Sequence, residues 1–243
     1  MDWGCWNGVG DEFAAEGLRF LRFNFTHNGT SAEQPREFVD LEAFAQNNYL
    51  IELNETRAVL DWVKDKFWIP DTSGKPEASP APIHLIGHSR GGGIAVLAAA
   101  ATPAVQSLAS WAGVDDFATR FPTGKALAQW KRTGRHDMLN GRTGQIMHMN
   151  YQHFSTFQTH KAALDIPAAA RRFKKPALIL HGTSDGAVAE NCAHNLHAAL
   201  AQSELHFIQR AGHTFGAHEP WERDDLPTHL AEVTRRTIDF FRH

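Results

Sequence analysis

The chain is 243 residues long and nearly neutral, with 24 Lys and Arg against 27 Asp and Glu and a formal net charge of −3. That length suits one α/β domain or two small ones, and 42% hydrophobic with 21% charged residues excludes wholesale disorder. No basic excess points to nucleic acid or an anionic membrane as partner, Cys5 and Cys192 make no disulfide framework, and the longest apolar run, Ile94 to Ala101, is too short to span a bilayer.

Met1 to Trp6 holds neither a basic nor an apolar segment, so no signal peptide is read there and the cytoplasm is the expected compartment. Leu18 to Phe25, rich in aromatics and bounded by Gly17 and by Asn28-Gly29, reads as a strand. Leu53, Leu60, Val63 and Phe67 recur at helical spacing, which predicts an amphipathic helix from about Leu53 to Trp68. Pro70 ends it and opens a Pro/Ser/Gly loop to Pro82. Ile83 to Ile86 is a short buried strand that runs through Gly87-His88-Ser89-Arg90-Gly91-Gly92-Gly93 into an Ala-rich helix, about Gly91 to Ala101. Leu108 to Val114 and Ala177 to His181 are further strand candidates, and Leu205 to Ile208 is the last. Between them Val188, Cys192, Leu196 and Leu200 repeat every fourth residue as a helix face; Leu230, Val233, Ile238 and Phe241 mark a C-terminal helix. Strand and helix alternate, which implies an α/β domain over 1–243 with a mostly parallel sheet flanked by helices on both faces. One stretch breaks the rhythm. Phe117 to Asp165 is long, polar-aromatic and irregular, and reads as an insertion over one end of the sheet.

Gly87-His88-Ser89-Arg90-Gly91 fits Gly-x-Ser-x-Gly, a weak signal as a string but a stronger one between a strand and a small-residue helix. In that setting the turn is so tight that Gly is expected on either side of Ser89, and the hydroxyl is thrust above the sheet edge. The backbone N–H of Arg90 would then point at a developing oxyanion, and Gly92 and Gly93 would let the helix pack close. An ordinary Gly-rich strand–helix turn is the plain alternative. Phosphate cradling fits worse, since neither the Lys-Ser/Thr ending nor the dinucleotide glycine spacing is present. A serine hydroxyl needs a histidine to take its proton and an acid to hold that imidazole. Asp185, in His181-Gly182-Thr183-Ser184-Asp185, and His213, in Gly212-His213-Thr214-Phe215-Gly216, each follow a predicted strand. Three such groups at the carboxyl ends of strands in one parallel sheet would converge on one crevice. Asp115 and Asp116, just past the preceding strand, are alternative acids. Among the 15 histidines His206 and His218 compete with His213, but His206 lies within a strand pattern and His218 farther from a strand end. His194 and His197 share a helix without a third donor at ligand spacing, so no metal site is read.

On Arg22-Phe23-Asn24-Phe25, Gly87 to Gly92, His181 to Asp185 and Gly212 to Phe215, the chain resembles an α/β-hydrolase-fold serine esterase. The likeness is to the broad group of dienelactone-hydrolase, feruloyl-esterase and prolyl-oligopeptidase-like catalytic domains. The resemblance implies the α/β-hydrolase fold, in which Ser…Asp…His is the expected chain order. Ser89 would be nucleophile, His213 general base and then acid, Asp185 its orienter, and the Arg90 N–H an oxyanion donor. It implies a small-molecule ester substrate, short or aromatic, with no cofactor and no metal. The stretch 117–165 would be a cap insertion over the acyl pocket. Trp130, Met138, Met147, Met149, Tyr151, Phe154 and Phe157 would line that pocket or simply glue the cap to the sheet. Such enzymes carry a His-Gly loop, the second oxyanion donor, just before a segment resembling Asp2-Trp3-Gly4, and here Met1 alone precedes Asp2. With Leu18 opening the family's fourth strand, the N-terminal strands are missing, and the third normally lies between the fourth and fifth. The expectation is a truncated form, such as a start codon assigned too late; an in-frame stop immediately upstream of Met1 would end it. A serine peptidase of the same fold and a non-catalytic hydrolase-fold protein are the rival readings.

Overall fold

A computed structural model describes residues 4–69, 79–141 and 143–242. The predicted loop from Pro70 to Pro82 lies largely outside the described residues, as do Asp2 and Trp3. The chain divides into two compact units, one made of Met1–Glu52, Phe117–Leu164 and Thr214–Thr234, the other of Leu53–Asp116, Asp165–His213 and Arg235–His243.

The second unit carries the sheet. Its strands are β1 (Ile83–His88), β2 (Val105–Trp111), β5 (Ala177–Gly182) and β6 (Ser203–Ile208), in the order β1-β2-β5-β6. Every pair is parallel, with His88 opposite Trp111, Leu108 opposite Ala177 and Gly182 opposite Ile208. All six residues of β5 are buried, as a strand covered by helices on its faces requires. Parallel pairing puts all four carboxyl ends on one rim, and the loops that leave that rim carry the candidate site.

Helices α4 (Arg90–Ala101), α7 (Ile166–Arg172) and α8 (Glu190–Ala199) lie between these strands in the chain; α4 and α8 pack against the strands, and α7 packs against α4 and α8. Gly92 to Ala99 of α4 are all buried, because a helix of Gly, Ala and a few branched residues has no bulky polar face to keep outside. Pro103 bars its continuation past Thr102. Asp165 caps α7, its Oδ1 accepting the Ala168 N–H at 2.8 Å, and Pro167 sits in the first turn where it costs no hydrogen bond. The C-terminal helix, α9 (Thr228–Arg242), reaches the sheet through Thr237, whose Oγ1 accepts from Trp111 Nε1 at 3.0 Å.

The first unit contains α1 (Trp6–Ala15), α2 (Leu41–Gln46), the start of α3 (Tyr49–Lys66), α5 (Gly124–Thr133) and α6 (Gln152–Thr159). It also holds an antiparallel hairpin, β3 (Arg135–Leu139) with β4 (Ile146–Asn150). Its core is aromatic. Tyr49 stacks on Phe117 at 3.9 Å, Phe121 lies 5.0 Å from Phe157, and Trp130 donates to the Met149 carbonyl at 3.0 Å.

Several expectations need correction. Leu18–Phe25 is not a strand, since no ladder is assigned along it, and Phe20 instead stacks on Phe13 at 4.7 Å. Aromatic richness describes a segment that fits a pleated sheet, but it cannot supply the neighbour that makes one. The 117–165 stretch is not irregular: helix, hairpin and helix follow one another, each too short or too polar for its period to stand out. The helix read from Leu53 starts at Tyr49 and ends at Lys66, and Val114 lies beyond the end of β2. Helices α1, α2 and α7 were not foreseen. No helix among the described residues is long and apolar enough to cross a membrane.

Candidate active site

Between His88, the last residue of β1, and Arg90, the first of α4, a single residue makes the turn. That residue is Ser89, at φ 56° and ψ −123°, a region a side-chain-bearing residue enters at a cost of about 1–3 kcal/mol. Backbone bonds hold it there: Ser89 N–H donates to the Trp111 carbonyl at 2.9 Å, and its own carbonyl accepts from Gly92 at 2.9 Å and Val114 at 3.2 Å. The flanking glycines are not equivalent. A Cβ on Gly87 would lie 2.2 Å from the Gly91 carbonyl oxygen, and one on Gly92 2.7 Å from Gly113 Cα. A Cβ on Gly91 would meet nothing within 4 Å, which corrects the expectation that the turn demands glycine on both sides of Ser89.

Asp185 lies in the turn that follows β5. Its Oδ1 accepts the N–H groups of Ala187 and Val188 at 2.8 and 2.9 Å, and its Oδ2 faces His213 Nδ1 at 2.8 Å. The side chain is 1% exposed. Burial alone would raise its pKa, but the Val188 N–H, the His213 ring and the Ala187 N–H outweigh that, and the carboxyl sits below its ordinary value. Beneath it the fully buried His181 lies with Nε2 3.0 Å from the Val188 carbonyl and 3.5 Å from Asp185 Oδ2. The carbonyl only accepts, so Nε2 carries the proton.

His213 follows β6, with its side chain 21% exposed. A carboxylate only accepts, so the proton on Nδ1 belongs to the bond with Asp185, which leaves the Nε2 lone pair for the Ser89 hydroxyl 2.9 Å away. An imidazole held in this tautomer can accept a proton from the hydroxyl and return it to a leaving group, while the carboxylate stabilises the imidazolium in between. All three side chains belong to the second unit.

The competing residues lie elsewhere. Asp115 accepts from Asn195 Nδ2 at 2.7 Å, and His213 Nδ1 faces neither it nor Asp116. His206 Nε2 is 3.3 Å from Glu204, His197 Nδ1 is 2.8 Å from Ser203 Oγ, and His218 packs edge-on to Trp221 at 5.0 Å. His194 lies 3.7 Å from Glu190. Among the described residues no group of three or more His, Cys, Asp or Glu is placed to hold a metal ion. Of the residues expected at an acyl pocket, Trp130, Met147, Met149 and Phe157 are buried within the first unit; Met138, Tyr151 and Phe154 are partly exposed.

Sequence reasoning gave His88 no role, although it stands inside the serine motif. Its Nε2 lies 2.8 Å from the His213 backbone carbonyl, and the two rings are 4.8 Å apart at 41°. Desolvation lowers its pKa to about 4, so the ring is neutral at pH 7. No local signal could have found this bond, because its partner is an atom that every residue possesses, 125 positions away.

Residues 1–226 match the family model described as the Alpha/beta hydrolase family. A comparison with curated proteins gave no match. Among solved structures, an esterase domain from Rhodothermus marinus is similar at 17% identity and a TM-score of 0.61, over 98% of this chain and 80% of that one. Est1E from Butyrivibrio proteoclasticus is similar at 19% identity and a TM-score of 0.55, over 81% and 70%. A monoacylglycerol lipase from Paleococcus ferrophilus is similar at 16% identity and a TM-score of 0.61, over 96% and 87%. At these identities the likeness is one of fold.

Proposed function

The chain belongs to the alpha/beta hydrolase family and is a hydrolase by that membership; from the arrangement around His213 we propose that it cleaves carboxylic esters through an acyl-serine intermediate. In this reading His213 Nε2 takes the proton of Ser89 Oγ as the oxygen attacks the ester carbonyl. The tetrahedral oxyanion accepts from the Arg90 backbone N–H, at the positive end of α4. Collapse expels the alcohol, which receives the proton from His213. Water then attacks the acyl-serine with His213 again as base, and the acid departs. Asp185 stays ionised throughout and holds the imidazole. The sequence of steps calls for neither cofactor nor metal.

One observation carries the reading: His213 Nε2 stands 2.9 Å from Ser89 Oγ while Nδ1 stands 2.8 Å from Asp185 Oδ2. The names of the structural neighbours support esters as the substrate class, and Est1E has been solved with ferulic acid bound. Aromatic acyl esters, with the short-chain esters that the family resemblance implies, are the substrates to try first. We read 117–165 as an insertion within a single hydrolase domain spanning 1–243.

Turnover of p-nitrophenyl acetate and butyrate by the wild-type chain and by Ser89→Ala is the test. The variant should lose about 10⁴–10⁶-fold in kcat. Equal rates in the two proteins, or no rate and no labelling of Ser89 by a fluorophosphonate in the wild type, would sink the proposal in favour of a non-catalytic member of the fold.

A further inference from the structure

We propose that His88 is a positioning residue for His213: its Nε2–H grips the His213 backbone carbonyl and ties the loop bearing the base to the residue before the nucleophile. The inference rests on the esterase reading for the role of His213, while the contact itself does not.

Both ring nitrogens of His213 are engaged, Nδ1 with Asp185 and Nε2 with Ser89. Those two bonds set the ring's plane but do not themselves hold its backbone, on the segment between β6 and the Thr214 turn. The carbonyl bond to His88, at 2.8 Å, supplies that hold. Its anchor is rigid, because His88 ends β1 in register with Trp111, and the Trp111 carbonyl also accepts the Ser89 N–H at 2.9 Å. Nucleophile and base are thus referred to the same strand end. A displacement of about 1 Å between reacting groups is enough to cost two orders of magnitude in rate.

The protonation state of His88 suits this task. A carbonyl accepts only, so the proton belongs on Nε2. The titratable groups facing the ring among the described residues include His213, Asp185 and His181, with desolvation the largest influence and the His213 carbonyl bond opposing it. A neutral ring 4.8 Å from His213 puts no positive charge beside an imidazole that must become cationic during turnover.

The first measurement uses the wild-type protein alone. A two-dimensional ¹H–¹⁵N spectrum of the labelled chain should show His88 protonated at Nε2 and bare at Nδ1 at pH 7; the opposite tautomer overturns the proposal. The second pairs His88→Leu, which removes the donor, with His88→Gln, whose amide N–H reaches a similar point. With p-nitrophenyl acetate, His88→Leu should lose about 10- to 100-fold in kcat with KM within about three-fold. The downfield proton resonance of the His213–Asp185 bond should broaden or shift in that variant, and His88→Gln should recover most of both signals. A folded His88→Leu with wild-type kcat and an unmoved resonance overturns the proposal. Should His88→Leu fail to fold, His88→Gln decides: a loss above about ten-fold at an unchanged melting temperature overturns it too. A wild-type chain without turnover or fluorophosphonate labelling removes the esterase reading alone, since tautomer and resonance still decide on His88.

Discussion

At Asp185 two backbone N–H groups and one imidazole N–H converge on a carboxylate that burial by itself would push toward neutrality. The donors win, so the group is ionised at neutral pH. Its contribution to stability is complete above the ordinary carboxyl value of 3.8 and is lost as pH falls through the lower folded value. Asp185→Asn should leave the fold intact and lower kcat by about 10³–10⁴-fold, because an amide can donate to Nδ1 and so favour the wrong tautomer; steady-state kinetics beside a thermal melt would check both halves. His88 carries the opposite charge type with the same sign of linkage. Its imidazole falls from 6.5 to about 4 on folding, so the unfolded chain binds the proton more readily. Stability linked to this ring is complete above about pH 6.5 and declines as pH falls toward 4, by up to about 3 kcal/mol. Urea denaturation between pH 7 and 4 should therefore show a shallower decline in His88→Gln than in wild type. The positions of Ser89, Asp185 and His213 past strand ends were legible in the sequence because each follows a short apolar run. His88 was not, since histidine before the serine has many uses and only its distant partner singles one out.

The strand–turn–helix element joining β1 to α4 shows how far a motif's spelling matches its physics. Gly87 is required by space, whereas Gly91 occupies a position where a methyl group would meet nothing. Gly87→Ala should cost about 3 kcal/mol or more, or abolish folding, because the obstacle is a backbone carbonyl that no side-chain rearrangement can move. Gly91→Ala should be neutral or stabilise by up to about 1 kcal/mol through helix propensity, and chemical denaturation distinguishes the two. Sequence reading found β1 and β5 from their apolar runs, α4 from its Ala-rich composition and α9 from helical spacing. It mistook Leu18–Phe25 for a strand because the segment is rich in aromatics and bounded by turn residues, and β-propensity records fitness for a sheet and not membership in one. It missed the β3–β4 hairpin, whose Leu139 and Ile146 pair with each other while standing 73% and 59% exposed, against the usual inward apolar pattern.

Across the whole molecule the ladder order gives a gradient of protection. Strands β2 and β5 are hydrogen-bonded on both sides, while β1 and β6 each have one assigned neighbour among the described residues. Native-state hydrogen exchange should find the slowest amides in β2 and β5, with Leu108 to Trp111 and Leu178 to Leu180 the most protected; faster exchange there than in β1 would contradict the ladder. Alternation of strand and helix, carried by local periods of two and 3.6 residues, sufficed to predict an α/β domain with a mostly parallel sheet, and parallel pairing then sent the loops after β1, β5 and β6 to a common rim. That much is local chemistry summed along the chain. Tertiary structure alone decided which acid faces His213, which tautomer its ring adopts, that Gly91 is dispensable while Gly87 is not, and that the His88 ring reaches a carbonyl 125 residues away. Each of those outcomes depends on atoms brought together from distant positions, and hydrogen-bond geometry resolved to tenths of an ångström leaves no periodic trace in a sequence.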